Sequence, residues 1–414
     1  MKTTNTSIKQ YIILICVGFI QQIAFSQNFL PLVYDTLERH HELTINASGE
    51  LSTSSISNQI TNRLIFGGNI TSDLIQTVEG KHKNLNRIGF YTDPNIEYIN
   101  YKVRPFKQKD WGIIVKAGLL SSGGARYKSG IFGLAFRGNE PYLGSTIDLS
   151  NMFLGMFTAH KVGFGFISSK SKSNVSLNIY GITNYINGHL NDASLYQDEM
   201  GFNAALAMSG QGLTTTKSPY YKGLGVGIDA NFFFKVGKPD KPSYIQFSVQ
   251  NLGVGFLNKN VVRYEMDTTI LYDGYTIGNL TNNETIFGKD KKITEEIGLR
   301  NDTISKAVAL PFTVQIAKII DEHNTKQIQF YYGIRVYVQN AAIPMGYFGI
   351  HYRTKSWFRM GLGASYGGFT GFRANLYMQA ALKKFNVGIS TSDLIGLTGY
   401  GKGYGLSLGI SYRF

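Results

Sequence analysis

Gly403-Tyr404-Gly405-Leu406-Ser407-Leu408-Gly409-Ile410-Ser411-Tyr412-Arg413-Phe414 ends the chain in an alternation that never slips. Tyr404, Leu406, Leu408, Ile410, Tyr412 and Phe414 share one parity, and the glycines, serines and Arg413 share the other. Successive side chains of a pleated strand point to opposite faces, so a period of two predicts a strand with one apolar face and one small or polar face. Aromatic rings stand near both ends of the apolar face. That distribution fits a strand between lipid and a polar lumen, with the rings at the two membrane interfaces. A soluble sandwich strand can also alternate, so the rest of the chain has to decide.

The same period recurs upstream. Phe312/Val314/Ile316, Ile328/Phe330/Tyr332/Ile334/Val336, Phe348/Ile350/Tyr352, Phe358/Met360/Leu362/Ala364/Tyr366 and Phe372/Ala374/Leu376/Met378/Ala380 each make one apolar face. Strands in such succession, each followed by a turn, predict a meander leading into the closing strand. Val226–Val236 and Ile245–Val249, joined across Gly237–Pro242, predict a hairpin. Glu97–Val103, Ile113–Leu119, Phe164/Phe166 and Val175–Tyr180 supply earlier strands. The period is lost over Ser121–Asn151, and Ile131–Phe136 within it reads as a short helix or a tucked-in loop. It is weak over Val254–Lys306, which reads as long charged loops with a helix candidate at Thr294–Leu299. No fixed repeat and no linker divides the chain, and one domain is expected.

The N-terminus adds a location. Lys2 and Lys9 accompany an apolar run over Tyr11–Ile20 that resumes at Ile23–Phe25, and Ala24-Phe25-Ser26 matches a small-x-small cleavage site. Residues 1–26 read as a secretory signal peptide, with 27–414 as the barrel domain. Cys16, the one cysteine, lies inside that run behind Ile15, which argues against a lipid anchor; cleavage leaves no thiol chemistry. Charged residues are 16% of the chain, well under the roughly 25% of soluble domains. No later apolar run reaches the about 18–20 residues of a membrane helix. An exported chain of this kind spans with strands, and a sheet can span lipid only without a free edge. The expectation is an all-β fold: a transmembrane antiparallel β-barrel in the outer membrane of a Gram-negative bacterium. At roughly 25–30 residues per strand and loop it has about 14 strands, an even number from about 12 to 16, with long extracellular loops. Asn28–Arg87 either opens the barrel or folds inside it as an N-terminal plug. The formal charge of +14 suits lipid phosphates or anionic solutes, and nucleic acid is not expected as a partner.

With the apolar faces outward, the C-terminal strands turn Arg335, Arg359, Arg373 and Arg413 into the lumen, along with His351, Arg353, Gln329, Gln379, Asn375, Tyr331, Tyr337 and Tyr377. A basic wall of this kind biases a pore toward anions. The same arginines can instead be satisfied by lumenal acids, loop carboxylates or a plug, the usual condition of inward charge. Catalytic patterns are poor. The seven histidines show no metal-ligand spacing, and no helix follows Gly361-Leu362-Gly363 or Gly399–Gly403 to make a phosphate loop. No enzyme activity, metal or cofactor is expected.

Two sets of residues carry a resemblance. The chain end, with Tyr412 and a terminal Phe414, resembles the signature by which bacterial outer-membrane barrels are recognised for assembly. It implies the barrel assembly machinery, membrane lipid and lipopolysaccharide as partners. The block Ile131–Asn151, together with Ser392–Gly396 and Ser411–Phe414, resembles an outer-membrane barrel family of Bacteroidota with no assigned function. That family is distantly similar to the long-chain fatty-acid transporter barrels and to barrel subunits of type IX secretion. The likeness spans most of the chain and its motifs are structural, so it implies fold and location. Fatty-acid transporter relatives carry an Asn-Pro-Ala turn that does not occur here, and no binding residues are carried over. Two functions follow as expectations. One is transport of a small hydrophobic or anionic solute past Arg335, Arg359, Arg373 and Arg413. The other is a non-conducting scaffold whose long loops hold a partner such as a secretion-system protein.

Overall fold

The computed structural model describes residues 33–34, 40–201, 203–216, 219–238, 241–272, 300–321, 326–338 and 341–414. The signal-peptide reading and the helix candidate at Thr294–Leu299 lie outside the described residues.

After the two-residue β1 (Val33–Tyr34), the chain climbs through β2 (His41–Thr53) and returns through β3 (Leu85–Thr92) and β4 (Asn95–Asn100). It climbs in β5 (Trp111–Lys128), returns in β6 (Thr146–Asp148) and β7 (Met152–Ser168), and climbs in β8 (Asn174–Gln197). β9 (Ala204–Thr215) and β10 (Gly223–Lys238) return, β11 (Lys241–Tyr272) climbs, and β12 (Arg300–Ala309) and β13 (Phe312–Asp321) return. Six shorter strands complete the meander: β14 (Ile328–Val338), β15 (Ile343–Arg353), β16 (Phe358–Gly368), β17 (Phe372–Ala381), β18 (Phe385–Thr391) and β19 (Gly403–Arg413). The alternating terminal stretch pairs with β2 from Gly403↔Ser52 to Arg413↔Glu42 and closes the ring.

Four returning staves are each made of two strands in line. β3 and β4 both lie between β2 and β5, and β9 and β10 both bridge β8 and β11. β6 continues β7 along β8, and β12 continues β13 along β11. Counted this way, with β1 apart, the ring has fourteen antiparallel staves, the even number a closed meander needs. Two of the breaks contain prolines, Pro94 and Pro311, which cannot donate to a ladder.

Outward residues such as Val162, Leu177, Ile334, Phe348, Leu362, Ile389 and Leu408 stay exposed and form a continuous apolar band. With no edge left and such a band outside, the ring suits lipid rather than water. The connections at the far end carry three helices, α1 (Asn58–Phe66), α2 (Ser72–Glu79) and α3 (Ser129–Arg137), whereas the described turns at the end holding His41 and Phe414 carry no α-helix. Ile60, Val78 and Phe132 pack these helices together over Tyr127.

The structure corrects several expectations. Ser121–Lys128 continues β5 as strand, while the short helix read at Ile131–Phe136 is present as Ser129–Arg137. Val254–Tyr272 is strand as well, not loop. Asn28–Arg87 opens the ring with β2 and supplies helices to the far end; the described part of it does not enter the lumen as a plug. β18 was not anticipated, because its Phe385/Val387/Ile389 alternation is too short to stand out beside a turn.

Candidate functional site in the lumen

Inward residues divide the lumen into layers. Toward the far end, Leu120, Phe157, Ala159, Tyr180, Ile182, Leu257, Val261, Leu310 and Met345 meet in one buried apolar layer. Phe369, fully buried, leans from the β16–β17 turn across the lumen onto the bare backbone of Gly89 and Gly124. A side chain at either glycine would collide with this ring.

Directly beneath lies a buried ionic network. Lys161 Nζ stands 2.7 Å from Asp93 and 3.2 Å from Asn251 Oδ1. Lys116 lies 3.6 Å from both Glu97 and Asp229. Asn251 ties the two pairs together. Its backbone N–H donates to Asp229 at 2.8 Å, and its side-chain oxygen accepts from the Tyr180 hydroxyl at 2.9 Å. Its φ of 61° is left-handed, where asparagine is enriched among non-glycine residues. Charges taken out of water are tolerated when they are matched, and here each cation lies beside a carboxylate.

A chamber of about 230 Å³ opens between this network and the C-terminal staves. Tyr91, Tyr331, Tyr337 and Tyr347 border it with Asp93, Glu97, Asp229, Lys116, Gln246, Gln315 and Arg335. The chamber therefore offers aromatic faces beside both signs of charge.

The residues singled out from the sequence separate into distinct places. Arg335 borders the chamber, its Nε donating to Gln315 Oε1 at 2.7 Å. Arg373 sits in the far half, 1% exposed, in an ion pair with the equally buried Glu50 and against Met345 Sδ at 3.0 Å. Arg359 is buried nearer the termini, cross-strand from both Arg353 and Gln379, with Arg413 on a neighbouring part of the same wall. His351 is fully buried there, its Nδ1 2.5 Å from the Tyr377 hydroxyl. Gln379 donates to Asn386 at 3.0 Å. Gln329 serves the backbone: it accepts from the Asp321 N–H at 3.0 Å and donates to the Asp321 carbonyl at 2.9 Å, where β13 leaves the ladder. Tyr412 stacks between Phe385 and Phe414, while Phe414 also stacks on His41 and exchanges two backbone hydrogen bonds with it.

The four arginines thus form no single file; they mark three levels of the lumen. Parity alone puts Lys116 and Asp229 inward. What joins their pair to Lys161 and Asp93 is Asn251, whose left-handed backbone leaves no mark on the alternation.

No protein-family model matches the chain, and no curated protein matches it. Among solved structures it is similar to the toluene transporter TodX of P. putida, with 8% identity and a TM-score of 0.39 over 91% of each chain. The Ralstonia pickettii toluene transporter TbuX is similar at 12% identity and TM-score 0.37, over 91% of this chain and 90% of that one. The beta domain of the Bordetella autotransporter BrkA gives 9% identity and TM-score 0.26, over 91% and 99%.

Proposed function

We propose that the protein is an outer-membrane barrel that passes a small hydrophobic or anionic solute, with the lumenal chamber as a binding station on the route. One observation carries this reading: a tyrosine-lined space bordered by Arg335 opens in the lumen beside a buried apolar layer. Its size suits a small molecule, its rings suit an apolar body, and the guanidinium suits an anionic group. Arg359 and Arg413 lie on the side of the chamber toward the termini and bias that approach toward anions; Arg373, bound to Glu50, holds the far half together. The apolar layer then acts as the barrier that must open for passage.

The test is planar-bilayer recording of the refolded protein under a salt gradient, with uptake into loaded vesicles in parallel. Small, anion-selective currents are expected, and Arg335→Gln with Arg359→Gln together should move selectivity toward cations. Unchanged selectivity and uptake in that double variant would refute the route.

A second reading is a non-conducting scaffold. It draws on the far end, where β8, β9, β11 and β12 pair beyond the reach of the shorter staves as a projecting sheet. Silence from protein shown to be folded by heat-shifted gel mobility, together with one specific protein recovered on the full-length barrel from solubilised membranes, would favour this role.

A further inference from the structure

The outward wall carries an apolar groove of about 950 Å³ running obliquely from β10 to β17. Ile316, Tyr332, Ile334, Phe348 and Tyr366 raise its sides. Its floor drops at Gly346, where an added Cβ would meet no atom within 4 Å. β15 is irregular beside this point, its register with β16 shifting between Ile343 and Gly346.

A cation stands at the groove's end nearest the chain termini. Lys318 shares the outward parity of Val314 and Ile316 and lines the groove with them. It lies three residues from the end of β13, about 10 Å along the strand. A lysine on the lipid-facing side of a barrel is unfavourable unless it reaches the interface or an anion. Nζ donates to the Phe330 carbonyl at 2.5 Å, which leaves further N–H groups for another acceptor. Asp321, the nearest acid along the strand, is buried yet within electrostatic reach of Lys318, so a phosphate there adds to a field the lysine already feels and does not supply its first anion.

We propose that this is a binding site for one anionic glycerophospholipid of the surrounding bilayer, its phosphate on Lys318 and an acyl chain along the trough over Gly346. Charge complementarity selects the head, and a trough facing lipid selects the chain. The groove opens on the outward side of the wall, although Lys318 also borders the lumenal chamber, and the proposal stands whether or not the lumen conducts.

The test is native mass spectrometry of the full-length barrel in mild detergent, with phosphatidylglycerol or phosphatidylcholine added. The wild type should retain one phosphatidylglycerol under activation that strips phosphatidylcholine. Lys318→Gln should erase that preference, lowering phosphatidylglycerol occupancy about tenfold at equal lipid, as loss of one charge-assisted contact implies. Gly346→Leu places a side chain in open space and fills the trough, so it should lose both lipids while keeping the heat-shifted mobility of a folded barrel. Equal retention of the two lipids by the wild type, or full retention by Gly346→Leu, overturns the proposal. A dimeric mass without lipid would also overturn it and assign the groove to a second copy.

Discussion

The two halves of the ring solve the same problem differently. From β13 to β19 the strands are short, seven to eleven residues, and most keep polar or small side chains inside and apolar ones outside. From β2 to β12 the staves are longer and broken. In their far part the inner face is apolar too, because Leu120, Phe157, Ile182, Leu257 and Val261 fill the lumen. The regular half is a wall; the broken half is a wall and a core at once. A stave that packs on both sides loses its two-residue rhythm, and its turns and breaks let it bring Asp93, Asn251 and Leu310 to defined depths.

The largest effect expected from this contrast is at the ionic network. Lys161→Met leaves Asp93 buried without its cation and should cost about 3–5 kcal/mol, read as a fall in the urea midpoint of the heat-shifted band. Adding Asp93→Leu should recover part of the loss. Full stability in the single variant would mean that water, not Lys161, satisfies Asp93. Next, Leu310→Ala cuts the apolar layer from a fully buried position. A loss of roughly 2–5 kcal/mol is expected, accompanied by a higher baseline conductance if that layer is the barrier. The smallest effect belongs to the projecting sheet. Arg263 holds Asp302 at 2.8 Å, but both are exposed, and Arg263→Ala should leave the unfolding midpoint unchanged at physiological salt. A clear shift there would show that the projection is coupled to the ring.

The same contrast explains what could be read beforehand. Strands such as Phe358–Gly368 announce themselves because lipid and lumen impose opposite chemistries on alternate residues. The barrel class and an even strand number near fourteen follow from that rhythm and from the need to close. Ser121–Lys128 does not announce itself, since Gly123 and Gly124 lie where the absence of a side chain makes room for the rings of Phe90 and Phe369. Nor does Val254–Tyr272, whose upper part pairs beyond the apolar band and carries charge on a strand. For the site, parity suffices to turn Arg335, Arg359 and Arg373 inward. It does not tell that Arg373 meets Glu50, a contact between residues 323 apart in sequence, or that Gln329 mends a backbone ladder. Such pairings depend on the diameter and stagger of the ring, which no local pattern records.

Phe369 also sets an order in time. Its ring belongs to the second half of the chain, while the glycine backbones beneath it, Gly89 and Gly124, belong to the first. No intermediate that lacks the curved, nearly closed sheet can seat it, because its seat and its anchor then lie at opposite margins of an open ribbon. Sealing of the lumen is therefore a late event, after the β2–β19 seam has zipped. In a refolding time course the heat-resistant form should appear before the settled signal of a fluorinated ring at Phe369. Until that ring is seated, the bare backbone of Gly89 and Gly124 stays uncovered.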